Sequence, residues 1–210
     1  MVFKRAVSWI AVVLIYTTGC RDSVDDRVAN APVFDHGHEE LPVLMTLPEF
    51  TLTDQSDNAF GAAQLDGKVW VANFMFTRCP ATCPIQTANM GRLLTMLSRT
   101  PEESAVQFLS ISVDPDYDTP AVLRVYSEKV VADASRWRFL TGDRETIWKL
   151  WKHGFKLPVS DAPLDSASPI LHSQRFIVVD QQSRVRGLYD GTKSEEMRHI
   201  AVDIRRLLAN

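Results

Sequence analysis

The sequence has no surplus of positive charge. Its 23 lysines and arginines stand against 26 acids, a net charge of −3, which removes the electrostatic footprint of a nucleic-acid-binding protein. It has no glycine-rich phosphate loop and no internal repeat. No apolar run reaches the ~20 residues that span a bilayer; the run at the N-terminus, Ala6 to Tyr16, covers 11. Cysteine is scarce, at three in 210 residues. What remains is 45% hydrophobic and 23% charged, enough for one globular domain with a real core plus an appendage.

The appendage lies at the N-terminus. Lys4 and Arg5, the apolar run, and then Thr17-Thr18-Gly19-Cys20 read as an export signal over residues 1–20. Small residues directly before a cysteine resemble a bacterial lipoprotein signal, in which Cys20 carries the lipid and becomes the new N-terminus, although Thr17 stands where such signals usually have leucine. Cleavage without lipid and an uncleaved anchor are the alternatives. Lipid on Cys20 leaves the other two cysteines as a pair and no odd thiol in an exported protein. Loss of residues 1–19 removes two basic groups and no acid, so the mature chain carries −5. The expected protein is therefore anchored to a bacterial cell membrane by its N-terminus, with its soluble domain on the periplasmic side. Residues 21–45 are polar and aperiodic and read as a linker. Its His36-Gly37-His38 reads as solvated. Order is expected from about Pro48, in a domain spanning 46–210.

The chemistry concentrates in Phe76-Thr77-Arg78-Cys79-Pro80-Ala81-Thr82-Cys83-Pro84, between a strand at 69–76 and a helix at 85–97. Two thiols with three residues between them, at a strand-to-helix connection, form a reactive or metal-binding pair. Each precedes a proline, which disfavours the helical conformation at the preceding residue. Cys83 is thus expected at the helix cap, with Pro84 at the first helical position. The helix dipole and Arg78 are expected to favour its thiolate. The helix should bury Ile85, Ala88, Leu93, Leu94 and Leu97, and Gly91 suggests a close neighbour.

The rest reads as alternating strands and helices. A hairpin over 50–60 precedes the cysteine strand. Then come a strand at 106–113, a helix from Pro120 capped by Asp118 or Thr119, a short strand at 137–140 and a helix capped by Asp143. Trp148 and Trp151 read as core. After an irregular connection with three prolines come a hairpin at 175–189 and a closing helix at 193–208. This order predicts a mixed central sheet with helices on both faces. With the cysteine pair at the end of the first long strand, the fold is α/β and thioredoxin-like.

Four pieces resemble the Sco (SenC) family of copper-binding, thioredoxin-like proteins that help to assemble cytochrome c oxidase. They are Leu65-Asp66-Gly67-Lys68-Val69-Trp70 with Asn73-Phe74; the cysteine stretch; Ser112-Val113-Asp114-Pro115 to Asp118-Thr119-Pro120; and Leu171-His172-Ser173. The resemblance covers about residues 46 to 208. It implies copper ligands at Cys79, Cys83 and His172. Spacing alone does not pair His172 with cysteines 89 residues away. Thiolates suit Cu(I), imidazole accepts Cu(I) and Cu(II), and three ligands leave a position open for transfer. A closed four-ligand zinc site lacks an obvious fourth donor. The Asp114–Pro120 loop reads as a turn and cap, with a supporting role beside the metal for Asp114 or Asp118 as the alternative. His153 and His199 are not ligands.

The function this implies is a copper metallochaperone, not a turnover enzyme. It would take copper from an upstream donor and deliver it to the copper A centre of cytochrome c oxidase subunit II. The alternative is a thiol-disulfide reductase that keeps that subunit's cysteines reduced through Cys79 and Cys83. Generic reductases of this fold usually place two residues between their cysteines. They also carry a cis-proline where Leu171-His172-Ser173 stands here. A redox or copper sensor acting through a partner is the weakest reading.

Overall fold

The computed structural model describes residues 40–130, 135–157, 159–161 and 170–209; residues 1–20, read above as an export signal, and His36-Gly37-His38 lie outside them. The chain forms β1 (Met45–Thr46), a hairpin of β2 (Thr51–Asp54) and β3 (Ala59–Gly61), and α1 (Ala62–Leu65). It continues through β4 (Trp70–Met75), α2 (Thr82–Met96), α3 (Pro101–Ala105), β5 (Gln107–Ser112), α4 (Pro120–Val130) and β6 (Trp137–Thr141). Helix α5 (Arg144–Lys149) runs on as a π-helical turn (Leu150–Phe155). Then come β7 (Val159–Asp161), β8 (Ile170–His172), β9 (Arg175–Val179), β10 (Arg184–Asp190) and α6 (Glu196–Ala209).

Eight strands make one mixed sheet in the order β1-β10-β9-β4-β5-β6-β2-β3, and β7 and β8 form a separate pair. Strands β4, β5 and β6 run parallel, while β9 lies antiparallel against the other edge of β4. All six residues of β4 are buried, as a strand covered on both faces requires. On one face, Trp151 stacks on Phe74 at 4.3 Å between ring centroids and Phe155 meets it edge-on at 5.2 Å. Such pairs add about 1 kcal/mol beyond the area they bury. On the other face, the Ser110 hydroxyl donates to Asn73 and accepts from the Trp137 indole, linking three strands at 2.7 and 3.0 Å. Tyr126 of α4 packs on Phe139 of the same face. The mixed sheet with helices on both faces and an N-terminal hairpin is the thioredoxin-like arrangement that the alternation of elements predicts. Trp148, unlike Trp151, is only half-buried, flanked by Arg144 and Lys152.

Three details differ from the pattern in the sequence. First, ordered chain reaches back before Pro48. Met45–Thr46 pairs with β10, and the buried Arg186 donates to the carbonyls of Leu41 and Pro42. Backbone carbonyls captured by a guanidinium need no apolar periodicity, so this stretch reads as linker. Second, a further short helix precedes β5: Thr100 caps α3 by accepting from Glu103 N–H at 3.2 Å. Third, nothing crowds Gly91. A Cβ there would meet only the Trp137 ring, at 3.9 Å. Gly91→Ala is therefore expected to raise the unfolding free energy by about 1 kcal/mol, read as a higher urea midpoint; a lower midpoint would reveal crowding.

Candidate metal centre

Strand β4 delivers the chain into the cysteine loop, and one carboxylate holds that loop in place. Asp118, fully buried, accepts from the Thr77 backbone N–H at 3.0 Å, from the Thr77 hydroxyl, and from the Ser112 hydroxyl at 2.6 Å. Burial lifts its pKa above the ordinary carboxylate value, against three donors that favour the charge. Asp118 therefore does not cap α4. The Thr119 hydroxyl does, accepting from Val122 N–H at 3.4 Å. Asp114 accepts from Arg78 Nε at 2.7 Å, and the Arg78 guanidinium lies 4.6 Å from the Tyr117 ring centre. The Asp-Pro loop thus supports the cysteine loop as well as forming a turn.

Cys79 is half-buried, Cys83 is only 1% exposed, and they are not joined by a disulfide. Helix α2 begins earlier than the prolines suggest: Ala81 is its N-cap and Cys83 is its second residue. N–H groups of a helix's first turn have no intrahelical partner, so Pro84 removes no helical bond there and its bias against a helical Cys83 is overridden. Nor is the thiolate favoured. Burial pushes the Cys83 thiol well above its ordinary range, the neighbouring Cys79 adds to this, and a hydrogen bond with the Phe76 backbone only partly opposes it. Arg78, expected to help, is engaged by Asp114.

The buried face of α2 is also not the expected one. Ile85 is 49% exposed and Ala88 is exposed, while Cys83, Gln86, Thr87, Asn89 and Met90 are buried. The first turns of the helix turn a polar face inward, toward the end of the sheet where the cysteines lie. Apolar spacing alone did not identify Gln86. The signal was the pairing of exposed Ile85 and Ala88 with buried polar neighbours.

His172 ends β8, opposite Val159 of β7; its side chain lies outside the described residues. The backbone nonetheless brings it toward the cysteines. In the β4–β9 pairing Trp70 lies opposite Val179 and Ala72 opposite Ile177. The start of β9, three residues after His172, therefore lies beside the C-terminal half of β4, whose end leads into the cysteine loop. Helix α2 is tied to the same place: Asn89 Nδ2 donates to the Gly191 carbonyl at 2.9 Å, and Gly191 N–H donates to the Gln174 carbonyl at 2.9 Å. A Cβ on Gly191 would come within 2.6 Å of the Phe176 ring and 2.9 Å of the Gln174 carbonyl, so this approach requires glycine. Among the described residues no three His, Cys, Asp or Glu side chains are grouped as a metal site; Cys79 and Cys83 supply two donors. None of the described helices is long and apolar enough to cross a membrane.

Residues 40–209 match the family model SCO1/SenC. The crystal structure of a SCO1/SenC family lipoprotein from Bacillus anthracis is 38% identical, with a TM-score of 0.74 over 81% of this chain and 99% of that one. The structure of BsSco, described as a member of the Sco family of cytochrome c oxidase assembly proteins with a disulfide switch, is 28% identical, with a TM-score of 0.70 over 80% of this chain and 96% of that one. Bradyrhizobium japonicum ScoI, solved with copper bound, shares the fold at 24% identity, with a TM-score of 0.65 over 78% and 99% of the two chains. With more than three quarters of its length matched to the family model and its fold shared with solved members, the chain belongs to the SCO1/SenC family.

Proposed function

We propose that this protein is a membrane-tethered copper metallochaperone. It holds Cu(I) or Cu(II) through the thiolates of Cys79 and Cys83 and the imidazole of His172. It delivers the metal to the copper A centre of cytochrome c oxidase subunit II. The observation that carries this reading is the unequal exposure of the two thiols, one on the pinned loop and one in the first turn of the helix it enters. Buried Cys83 serves as the fixed donor, and half-exposed Cys79 is the sulfur that an incoming ligand of the target displaces. Soft sulfur donors suit copper, and a three-donor set leaves the position through which a ligand of the acceptor enters. Copper bound in a relative of the same fold, and the role in oxidase assembly ascribed to BsSco, support it. An export signal with lipid on Cys20 would hold the folded domain, which starts near residue 40, at the outer face of the cell membrane, with residues 21–39 setting its reach.

The second reading is a thiol-disulfide reductase for the subunit II cysteines, favoured by the closeness of two uncrosslinked thiols and by the disulfide switch described in BsSco. In it, Cys79 and Cys83 become a disulfide as one disulfide of the target becomes two thiols. A His172→Ala variant separates the two. For a chaperone, copper binding weakens and oxidase assembly fails while thiol reduction persists. Oxidase that assembles normally with a copper-deficient His172→Ala variant would reject copper delivery and leave the reductase. The reduced wild-type protein is expected to bind one copper, and Cys79→Ser and Cys83→Ser to bind none by absorption and metal analysis.

A further inference from the structure

We propose that the Gln86 side-chain amide is the outer hydrogen-bond partner of the Cys83 sulfur in the copper-loaded protein, a positioning residue that tunes how tightly the metal is held. The proposal rests on the copper reading above. Gln86 is completely buried, yet neither Nε2 nor Oε1 has a hydrogen-bond partner among the described residues. A buried amide without partners is unfavourable and uncommon. Its neighbour one turn on, Asn89, shows what a structural amide does on this face: Nδ2 donates to Gly191 and Oδ1 accepts from Arg92 at 3.0 Å. Gln86 makes neither kind of bond.

Its position indicates what it is kept for. Gln86 follows Cys83 by three residues on α2, so the two side chains share a face. Helical side chains lean back toward the N-terminus, and a long one lies over the preceding turn, which here is the turn of Cys83. Both residues are buried, while Pro84, Ile85 and Ala88 between and beyond them face solvent. An amide can serve either state of a sulfur by turning over, because Oε1 accepts from a thiol and Nε2–H donates to a thiolate. Two thiolates on Cu(I) leave the site with one negative charge, and an N–H directed at sulfur stabilises it. The donated bond is then present in the loaded state and absent in the metal-free one.

The test uses the full-length chain, reduced, as wild type, Gln86→Leu and Gln86→Glu. Cu(I) affinity is measured by competition with a chromophoric chelator, the thiolate-to-copper charge-transfer band is recorded after oxidation to Cu(II), and the urea midpoint is measured without metal. Loss of an outer-shell partner is expected to weaken Cu(I) binding by ~10- to 100-fold in Gln86→Leu. It should also shift the charge-transfer band, while leaving the metal-free midpoint equal to wild type or higher. Gln86→Glu, which removes the donor and adds a negative charge, is expected to weaken binding further. Wild-type affinity in either variant overturns the inference and leaves the proposed function standing. A lower metal-free midpoint in Gln86→Leu makes the residue structural and overturns it as well. A wild-type protein that takes up no copper overturns the proposed function, and this inference with it.

Discussion

Asp118→Ala is expected to lower the unfolding free energy by about 3 kcal/mol and to strip the protein of tight copper binding. The carboxylate is the shared acceptor of the Thr77 N–H, the Thr77 hydroxyl and the Ser112 hydroxyl. Alanine leaves those donors in a protein interior, where each unpaired group costs about 1–3 kcal/mol. The Thr77 and Ser112 hydroxyls can rotate toward other acceptors, so the loss should not reach the simple sum. Thr77 lies two residues before Cys79, so the loosened segment is the one that spaces the thiols. Asp118→Asn separates the geometry from the charge. It keeps one oxygen for Thr77 N–H and turns its NH2 toward a hydroxyl that can accept, so a loss nearer 1 kcal/mol and retained copper are expected. Urea unfolding of both variants, with copper titration of each, decides the matter. An alanine variant as stable as wild type would mean that the Asp-Pro loop is only a turn.

The second large effect lies far from the cysteines. Asp180, 1% exposed, accepts from Arg186 at 2.7 Å, from Arg184 at 2.8 Å and from the backbone N–H groups of Gln182 and Arg184 at 3.0 Å. Arg186, itself buried, in turn holds Leu41 and Pro42. Asp180→Ala leaves the buried Arg186 guanidinium with only the exposed carboxylate of Glu40, at 3.4 Å, and breaking a buried pair costs about 3–5 kcal/mol. The double variant Asp180→Ala, Arg186→Leu should recover part of this, because the poorly compensated buried charge goes with it. The same contact sets an acid limit. Burial works to raise the Asp180 pKa, but the hydrogen bonds from Arg186 and Arg184 outweigh it and hold the folded-state pKa below the ordinary carboxylate value. The stabilisation is therefore fully present above the unfolded value of about 4 and is lost as pH falls through the lower, folded-state value. Wild type is expected to lose stability over that range more steeply than Asp180→Ala. Parallel acid profiles for the two proteins would remove Asp180 from the acid transition.

Much of the fold was legible without coordinates because its signals are local. The apolar run at 69–76, the Pro120 start of α4, the Asp143 cap, whose carboxylate accepts from Thr146 N–H at 2.9 Å, and the hairpin turn, where Asp54 accepts from Ser56 and Asn58 N–H at 2.8 and 3.0 Å, depend on neighbours within a few residues. Two cysteines at a strand-to-helix junction are also local, so the motif and its chemical class could be read directly. His172 entered through resemblance, because periodicity carries no information about a partner 89 residues away.

The amino-acid order by itself thus determined the alternation of strands and helices, the mixed sheet and the strand-to-helix junction that carries the paired thiols. Only the tertiary structure decided the states of the groups at that junction. Burial, which depends on what packs from elsewhere in the chain, holds the Cys83 thiol neutral although a helix start and an arginine suggested a thiolate. Asp114, 36 residues on, engages that arginine. Asp118 leaves the helix cap to Thr119 because two donors on Thr77 of the cysteine loop and one on Ser112 of β5 converge on it. Gln86 turns inward and Ile85 outward because α2 presents its first turns to the end of the sheet, not to its apolar middle. Local preferences are worth about 1 kcal/mol or less per residue, and contacts between distant segments overrule them where buried charge and hydrogen bonds are at stake.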